Sequence, residues 1–398
     1  MRRPTLALLY MAIFVGEAMW FSIAPLVPAF SHRFHLSKLD GGLLLASASV
    51  TILAVSIPAG MLGDRIGARR VTLAAVALMA VSDVGQGFAS SFPLLIASRM
   101  LFGVAFGAVW TTGVAWLSDA AREHGQRALS LTVTVAGLGG VVGPGFAGVL
   151  VQRFGLAVPF VVAGAATGLV ALALAVAAEG PGHVVTQPPG LRTMLRAAGA
   201  QKQVTASLVL MTLGGMVTGV VNLLVPLGLH ANGVHTATIG LAFSASAGVF
   251  IVASALVARR AERVTVRAAA MTAVLMSLAL VMTVVSTSTP WLVGFLLVRA
   301  PVAGALFAIT FPLGMLGARA ANLSVGAVAA LLNVVWAAAA LIGPVAAGAL
   351  AQATGDRTTY AVLLVSSLAA AAWMLANAPR GIADRVPQAE RDAAAGGA

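Results

Sequence analysis

Four ionisable side chains fall inside long apolar runs of this sequence: Glu17, Asp83, Arg99 and Arg299. A charge held away from water is costly, and by default it marks function. Glu17 could bind and release a proton, or pair with a cationic substrate. Asp83 and Arg99 flank Ser91 at equal distance, so an antiparallel hairpin turning there would set them at similar depth. They are expected to pair, which would make Asp83 structural rather than proton-carrying. Arg99 and Arg299 could instead clamp an anion such as a carboxylate or phosphate ester, or Arg299 could be satisfied by backbone carbonyls.

Other chemistry is missing from the sequence. Neither lysine, Lys38 or Lys202, ends a phosphate-binding glycine loop, and H-E-x-x-H and G-x-S-x-G are absent. The cysteine count is 0, which excludes disulfides and thiolate metal sites. His32, His35, His230 and His235 fall in short loops and are too few for a metal site without further ligands. The chain therefore reads as a non-enzyme without cofactor or metal. Its energy must come from an ion gradient, with the proton as coupling ion, or from the gradient of a small-molecule substrate.

The elements that must position these residues are membrane helices. Residues are 60% hydrophobic and only 9% charged, against roughly 25% charged in a soluble domain. A spanning helix needs about 20 apolar residues. Such runs are predicted at roughly 5–30, 40–62, 71–90, 93–117, 129–151, 156–178, 203–229, 237–258, 268–287, 290–316, 323–351 and 358–378. The first run is too long for a signal-peptide core. Glu17 lies about 18 Å into it at 1.5 Å per residue, near mid-membrane.

The long segment 179–202, with Pro181, Pro188 and Pro189, divides the chain into six-helix bundles at 1–178 and 203–378; 379–398 reads as a disordered tail. The net charge of +12 does not point to nucleic acid. The basic residues sit in short loops, where they orient helices in a bilayer. With a cytoplasmic N-terminus, the inside loops take Arg2 and Arg3, Arg65 to Arg70, Arg122 and Arg127, Arg192, Arg196 and Lys202, Arg259 to Arg267, Arg319 and the tail. The outside keeps only Arg33, Lys38, Arg153 and Arg357. Both termini are thus expected in the cytoplasm, in a multi-pass protein of the inner membrane.

An internal repeat supports the division. Shifting by 200 places Arg99 on Arg299 and aligns 143–155 with 343–355, where Gly, Pro, Ala147/Ala347, Gly148/Gly348, Leu150/Leu350, Gln152/Gln352 and Gly155/Gly355 coincide. Two halves related by an axis along the membrane normal is a known transporter build.

Three motifs carry a family resemblance. Gly60-Met-Leu-Gly-Asp64-Arg65-Ile-Gly67-Ala-Arg69-Arg70 reads as a charged turn between the second and third helices, with Gly60 and Gly67 allowing close packing and a sharp bend. Its pattern, G-x-L-x-D-R-x-G-x-R-R, resembles the loop 2–3 signature of the major facilitator superfamily. Arg99-Met-Leu-Phe-Gly103-Val-Ala-Phe-Gly107 is similar to the family's fourth-helix motif. Gly139-Gly-Val-Val-Gly143-Pro144-Gly-Phe-Ala147-Gly148 resembles the antiporter motif G-x-x-x-G-P-x-x-G-G, with Ala147 in place of a glycine.

The resemblance implies an all-α fold of two pseudo-symmetric six-helix bundles around a central cavity, working as a monomer. It implies that the Asp64-Arg65 turn latches the cytoplasmic side, that Arg99 assists proton transfer, and that Gly139, Gly143, Pro144 and Gly148 hinge an exporter. First helices line the cavity in this family and third helices are peripheral, which favours Glu17 over Asp83 as the coupling residue. Trp20, Phe21, Trp110, Asn222, Asn333 and Trp336 are candidates for lining it, as is Arg299. The leading expectation is a proton-coupled antiporter exporting small amphiphilic or cationic compounds, resembling the twelve-helix drug exporters. The alternatives are an organic-anion transporter using Arg99 and Arg299, and a non-transporting sensor or lipid scramblase on the same scaffold.

Overall fold

The computed structural model describes residues 3–120, 125–177, 201–259, 264–320 and 325–378. Linker residues 179–200, the tail 379–398, and Arg2, Arg122, Arg260 and Arg263 from the topology count lie outside these. Every element among the described residues is helical: α1 (Arg3–Phe34), α2 (Lys38–Ile66), α3 (Ala68–Gly87), α4 (Phe92–Ala108), α5 (Val114–Ala120), α6 (Gly125–Phe154), α7 (Val158–Ala177), α8 (Lys202–Ala231), α9 (Thr236–Ala258), α10 (Val266–Val285), α11 (Thr289–Ala320), α12 (Val325–Thr354) and α13 (Asp356–Asn377). A π-helical stretch, Val109–Gly113, joins α4 to α5 without a break.

Eleven of the helical segments are long and apolar enough to cross a membrane. The exception among the twelve predicted spans is α3, whose twenty residues include Arg69, Arg70, Asp83 and Gln86. In a bilayer each backbone amide must be satisfied within its own helix, which is why apolar runs of this length fold only this way. The loops supply the stops. Ser37 and Asp40 form a reciprocal cap at the start of α2, and Ser91 and Thr265 cap α4 and α10 through their hydroxyls.

The expected charged turn between the second and third helices is shorter than the sequence suggested. Asp64 and Arg65 belong to the last turn of α2, and the link is the single residue Gly67 at φ +94°. Only glycine adopts that conformation without strain. Gly60, by contrast, lies inside α2, and a Cβ there would meet Thr111 Cγ2 at 3.5 Å, an ordinary contact. Close packing does not require glycine at that position.

Backbone contacts divide the chain into two compact units. One comprises Met1–Thr186, Gly219–Gly248 and Ala340–Asp356; the other comprises Gln187–Thr218, Val249–Ala339 and Arg357–Ala398. In the first unit α1 packs along α6, α2 along α4, and α3 between α4 and α7. Small residues set these crossings. Gly103 of α4 sits on the Ala48 carbonyl and Thr51 of α2, and the Thr51 hydroxyl donates to the Met100 carbonyl at 2.8 Å. In the second unit α10 packs on α11, and Val204, Met211, Ala318, Val328, Leu331 and Leu332 form a buried cluster.

Candidate functional site

Glu17 is half-buried on α1, and its Oε1 accepts a hydrogen bond from Trp110 Nε1–H at 3.0 Å. Two features of the backbone bring them together. The first is the π stretch, which contains Trp110 and adds a residue to the helical turn; such bulges recur at functional sites. Thr111 and Thr112 steady it by donating to the Gly107 and Ala108 carbonyls at 2.8 and 2.9 Å, and Thr112 also shares a 2.9 Å bond with Thr72 of α3.

The second is the α1–α6 crossing. Gly139 lies against the Phe14 carbonyl and Glu17 Cβ, where an added Cβ would stand 2.6 and 2.9 Å away. Gly143 lies against the Ala18 carbonyl, and Gly140 faces the Phe21 ring. The first half of the antiporter-like motif therefore seats the segment that carries Glu17. Its second half, Pro144 to Gly148, faces α9 instead: the Pro144 carbonyl meets Gly240, and Gly145 N–H donates to Ser244 Oγ at 2.8 Å. Ala147 is fully buried, so the methyl that departs from the family pattern is already accommodated.

Above Trp110 runs an aromatic stack. Trp20 and Phe106 lie parallel with centroids 5.5 Å apart, Phe102 stacks on Phe106 at 5.5 Å, and Phe106 meets Trp110 edge-on at 6.4 Å. Arg99, only 1% exposed, is held by this stack. Its Cζ stands 5.5 Å from the Trp20 ring and 4.8 Å from the Phe102 ring, within cation–π range. Arg99 Nη2 donates to the Trp20 carbonyl at 3.3 Å, and Nη1 reaches Gln86 Oε1 at 3.5 Å.

The expected ion pair between Asp83 and Arg99 is not formed. Asp83 is fully buried, and neither of its carboxylate oxygens has a hydrogen-bond partner. Arg99 acts on it only through space. The hairpin did bring the two to neighbouring positions, but Gln86, the Trp20 carbonyl and two ring faces take up the guanidinium. Sequence reasoning did not single out Gln86, Phe102 or Phe106. The i, i+3 spacing of Asp83 and Gln86 on one helix face was the available signal.

The remaining candidates are placed as follows. Asp64, Arg65 and Arg70 are exposed, and Arg69 Nη2 donates to the Ala175 carbonyl at 3.5 Å. Asn222 is half-buried on α8. In the second unit, Arg299 is half-buried on α11 beside Tyr360, Asn333 is exposed on α12, and Trp336 packs against the buried cluster of that unit. A lining role for Trp336 thus competes with a packing role. Among the described residues no group of His, Cys, Asp and Glu could hold a metal ion.

Long apolar helices on a small-residue framework, with charged side chains buried among them, define a multi-pass membrane protein. Residues 9–323 match the Major Facilitator Superfamily, and the chain belongs to it. Over 171 residues it is 28% identical to the probable vesicular acetylcholine transporter-B of Danio rerio, a match covering 40% of this chain and 35% of that protein. Over 144 residues it is 27% identical to multidrug resistance protein 2 of Bacillus subtilis (strain 168), covering 36% of each. The chain spans only about a third of the length of these curated relatives. The fold matches the crystal structure of a bacterial homologue of the human lysosomal transporter Spinster, in an inward-facing and unoccupied conformation, with TM-score 0.79. That likeness covers 96% of this chain and 98% of the other at 17% identity. It fixes the all-helical major facilitator fold.

Proposed function

We propose that this chain is a proton-coupled secondary transporter, an antiporter that exports small amphiphilic or cationic compounds by alternating access. The observation that carries the reading is the Glu17 carboxylate, held by Trp110 at the foot of an aromatic stack. A carboxylate in that setting can hold either a proton or a cation, but not both, and this exclusion is the elementary requirement of antiport. The rings of Trp20, Phe106 and Trp110 offer π faces for a flat or cationic guest. Arg99 stands behind them, its guanidinium against the Trp20 and Phe102 rings.

The names of the partial relatives, a vesicular acetylcholine transporter and a multidrug resistance protein, fit a cationic or drug-like cargo. The protein works in the cytoplasmic membrane with both termini inside, as a monomer, without a cofactor, an enzymatic step or a nucleic-acid partner. The Asp64-Arg70 segment acts as the cytoplasmic latch. The anion-clamp reading loses support because the Arg99 guanidinium is 1% exposed and enclosed by two rings.

The test is flux in proteoliposomes loaded with a pH-sensitive dye, using lipophilic cations, neutral amphiphiles and organic anions in turn. Proton movement triggered by cations or amphiphiles is expected. Flux of anions alone would overturn the substrate class, and flux of none would revive the sensor or scramblase reading.

A further inference from the structure

We propose that the π turn Val109–Gly113 is a register switch, held wide by Thr72 and by the Trp110 bond to Glu17, whose closure turns α5 against the first half of α1. The proposal rests on the transporter reading, because it describes how the state of Glu17 reaches a helix that moves during the cycle.

The turn lies between a fixed helix and a short one. Upstream, α4 is pinned to α2: Gly103 sits on the Ala48 carbonyl, and a Cβ on Gly107 would stand 3.2 Å from Ile52 Cα. Downstream, the short helix α5 places Trp116 and Leu117 in a buried cluster with Leu9, Ile13 and Ala136. Backbone bonding shows the mismatch at both edges. The Val109 N–H is shared between the Ala105 and Phe106 carbonyls, and the Val114 N–H reaches back only three residues, to the Thr111 carbonyl.

Threonine alone does not explain the wide turn. Thr167 and Thr310 each donate to the carbonyl four residues back, as Thr111 and Thr112 do, yet their helices stay α-helical. Two sideways tethers set this turn apart. The Thr112 hydroxyl gives its one proton to the Ala108 carbonyl, so in the 2.9 Å contact with Thr72 it is Thr72 that donates. Both threonines are 0% exposed, and water cannot replace that bond. The second tether is Trp110 Nε1–H to Glu17 Oε1.

The internal repeat supplies a natural comparison. At a shift of 200, Thr310 stands for Trp110, Pro312 for Thr112 and Val217 for Glu17, while Thr272 still stands for Thr72. The repeat-related helix α11 is α-helical throughout Thr289–Ala320. The wide turn thus occurs in the half that carries the carboxylate and its indole partner, and not where both are replaced.

In an α-helix each residue turns about 100° and rises about 1.5 Å. Absorbing the extra residue of the π turn therefore rotates everything beyond Gly113 by about 100° relative to α4. Trp116 and Leu117 then leave the cluster they share with Leu9 and Ile13, one turn before Glu17 on α1. A charge-assisted hydrogen bond is about twice as strong as a neutral one. A proton or a cationic guest on Glu17 weakens its hold on Trp110 and shifts the wide-to-closed balance by about fivefold. The turn has two discrete arrangements, and the site biases the choice between them.

The natural absence of cysteine makes the chain its own background for thiol chemistry. Thr72→Cys with Thr112→Cys sets two thiols where hydroxyl oxygens now lie 2.9 Å apart. Oxidation with copper phenanthroline should link them, as seen by mass spectrometry, and fix the turn wide. The link should stop substrate flux in proteoliposomes, and reduction should restore it. A fixed support would work as well when covalent, so undiminished flux through the linked protein overturns the proposal. Failure of the pair to link overturns it too.

A second arm needs no substrate and separates this proposal from the transporter reading. Leu117→Cys, at a position 0% exposed, should react slowly with membrane-permeant N-ethylmaleimide. Adding Thr72→Val or Trp110→Phe, each checked by thermal unfolding, should raise that rate by about fivefold. Thr72→Ser keeps the hydroxyl and should leave it unchanged. Leu95→Cys, equally buried but upstream of the turn, should label at one rate in every background. A Leu117→Cys rate unmoved by both substitutions, or an equal rise at Leu95→Cys, would remove the switch. A rise confined to Leu117→Cys in a protein that moves no compound would count against the transporter reading alone.

Discussion

Gly143→Ala is the substitution that most sharply tests how Glu17 is positioned. A Cβ at Gly143 would overlap the Ala18 carbonyl oxygen and stand 2.7 Å from both the carbonyl carbon and Cα of Ala18. Ordinary contact between carbon atoms is about 3.5–4.0 Å. The helices must part by about 1 Å, since backbone atoms cannot turn aside as a side chain could. Overpacking of this kind costs about 1–3 kcal/mol, and alanine returns up to about 1 kcal/mol through helix propensity. With that gain counted in full, the net loss is about 0–2 kcal/mol.

The functional cost is larger. Glu17 precedes Ala18, and a displacement of about 1 Å takes a bond now at 3.0 Å out of hydrogen-bonding range. Flux should fall at least about tenfold. Gly248→Ala is the control. A Cβ there meets nothing within 4 Å, so it should raise stability by up to about 1 kcal/mol and leave flux unchanged. The assay is thermal unfolding in detergent alongside flux in proteoliposomes. Wild-type stability and flux in Gly143→Ala would refute the claim that a backbone contact seats Glu17.

Three further outcomes are expected. Asp64→Asn should slow or abolish transport while the unfolding temperature stays that of the wild type; full transport would take the latch role away from this residue. Gly67→Ala should lower the unfolding temperature, because an L side chain at φ +94° and ψ +132° costs about 1–3 kcal/mol. Arg299→Gln should leave flux of cationic and neutral compounds intact, measured by uptake of labelled substrate; an organic-anion flux that the wild type shows and the variant loses would favour an anionic cargo.

The sequence foretold the helices well, because a bilayer leaves an apolar run few choices. The predicted span 237–258 meets an observed helix at Thr236–Ala258, and 203–229 meets Lys202–Ala231. Errors gathered where polarity and helicity part company. Asp64 and Arg65 read as turn residues, yet they continue α2, since a charged residue at a helix end can face water without breaking backbone bonds.

Within the site, Glu17, Trp20, Arg99 and Trp110 were legible as unusual residues in apolar runs, but not as partners. Trp110 reaches Glu17 from a π stretch, and hydropathy carries no signal for an extra residue in a turn. Asp83 and Arg99 were placed side by side by a hairpin argument that could not see the competing acceptors, Gln86 and the Trp20 carbonyl. The repeat gave Gln152 and Gln352 as identical residues; that their side chains accept from the Ala237 and Leu39 N–H groups emerged only from the structure.

The central claim is that Glu17 exchanges a proton for the transported compound. Its most direct test is substrate-triggered proton movement in proteoliposomes, compared between the wild type and Glu17→Gln at matched protein content. Glutamine keeps the size of the side chain and an acceptor for Trp110 Nε1–H, so the fold should survive while the titrating group is lost. The account predicts proton movement in the wild type and none in the variant. Equal proton movement in both proteins would contradict it and place the coupling elsewhere.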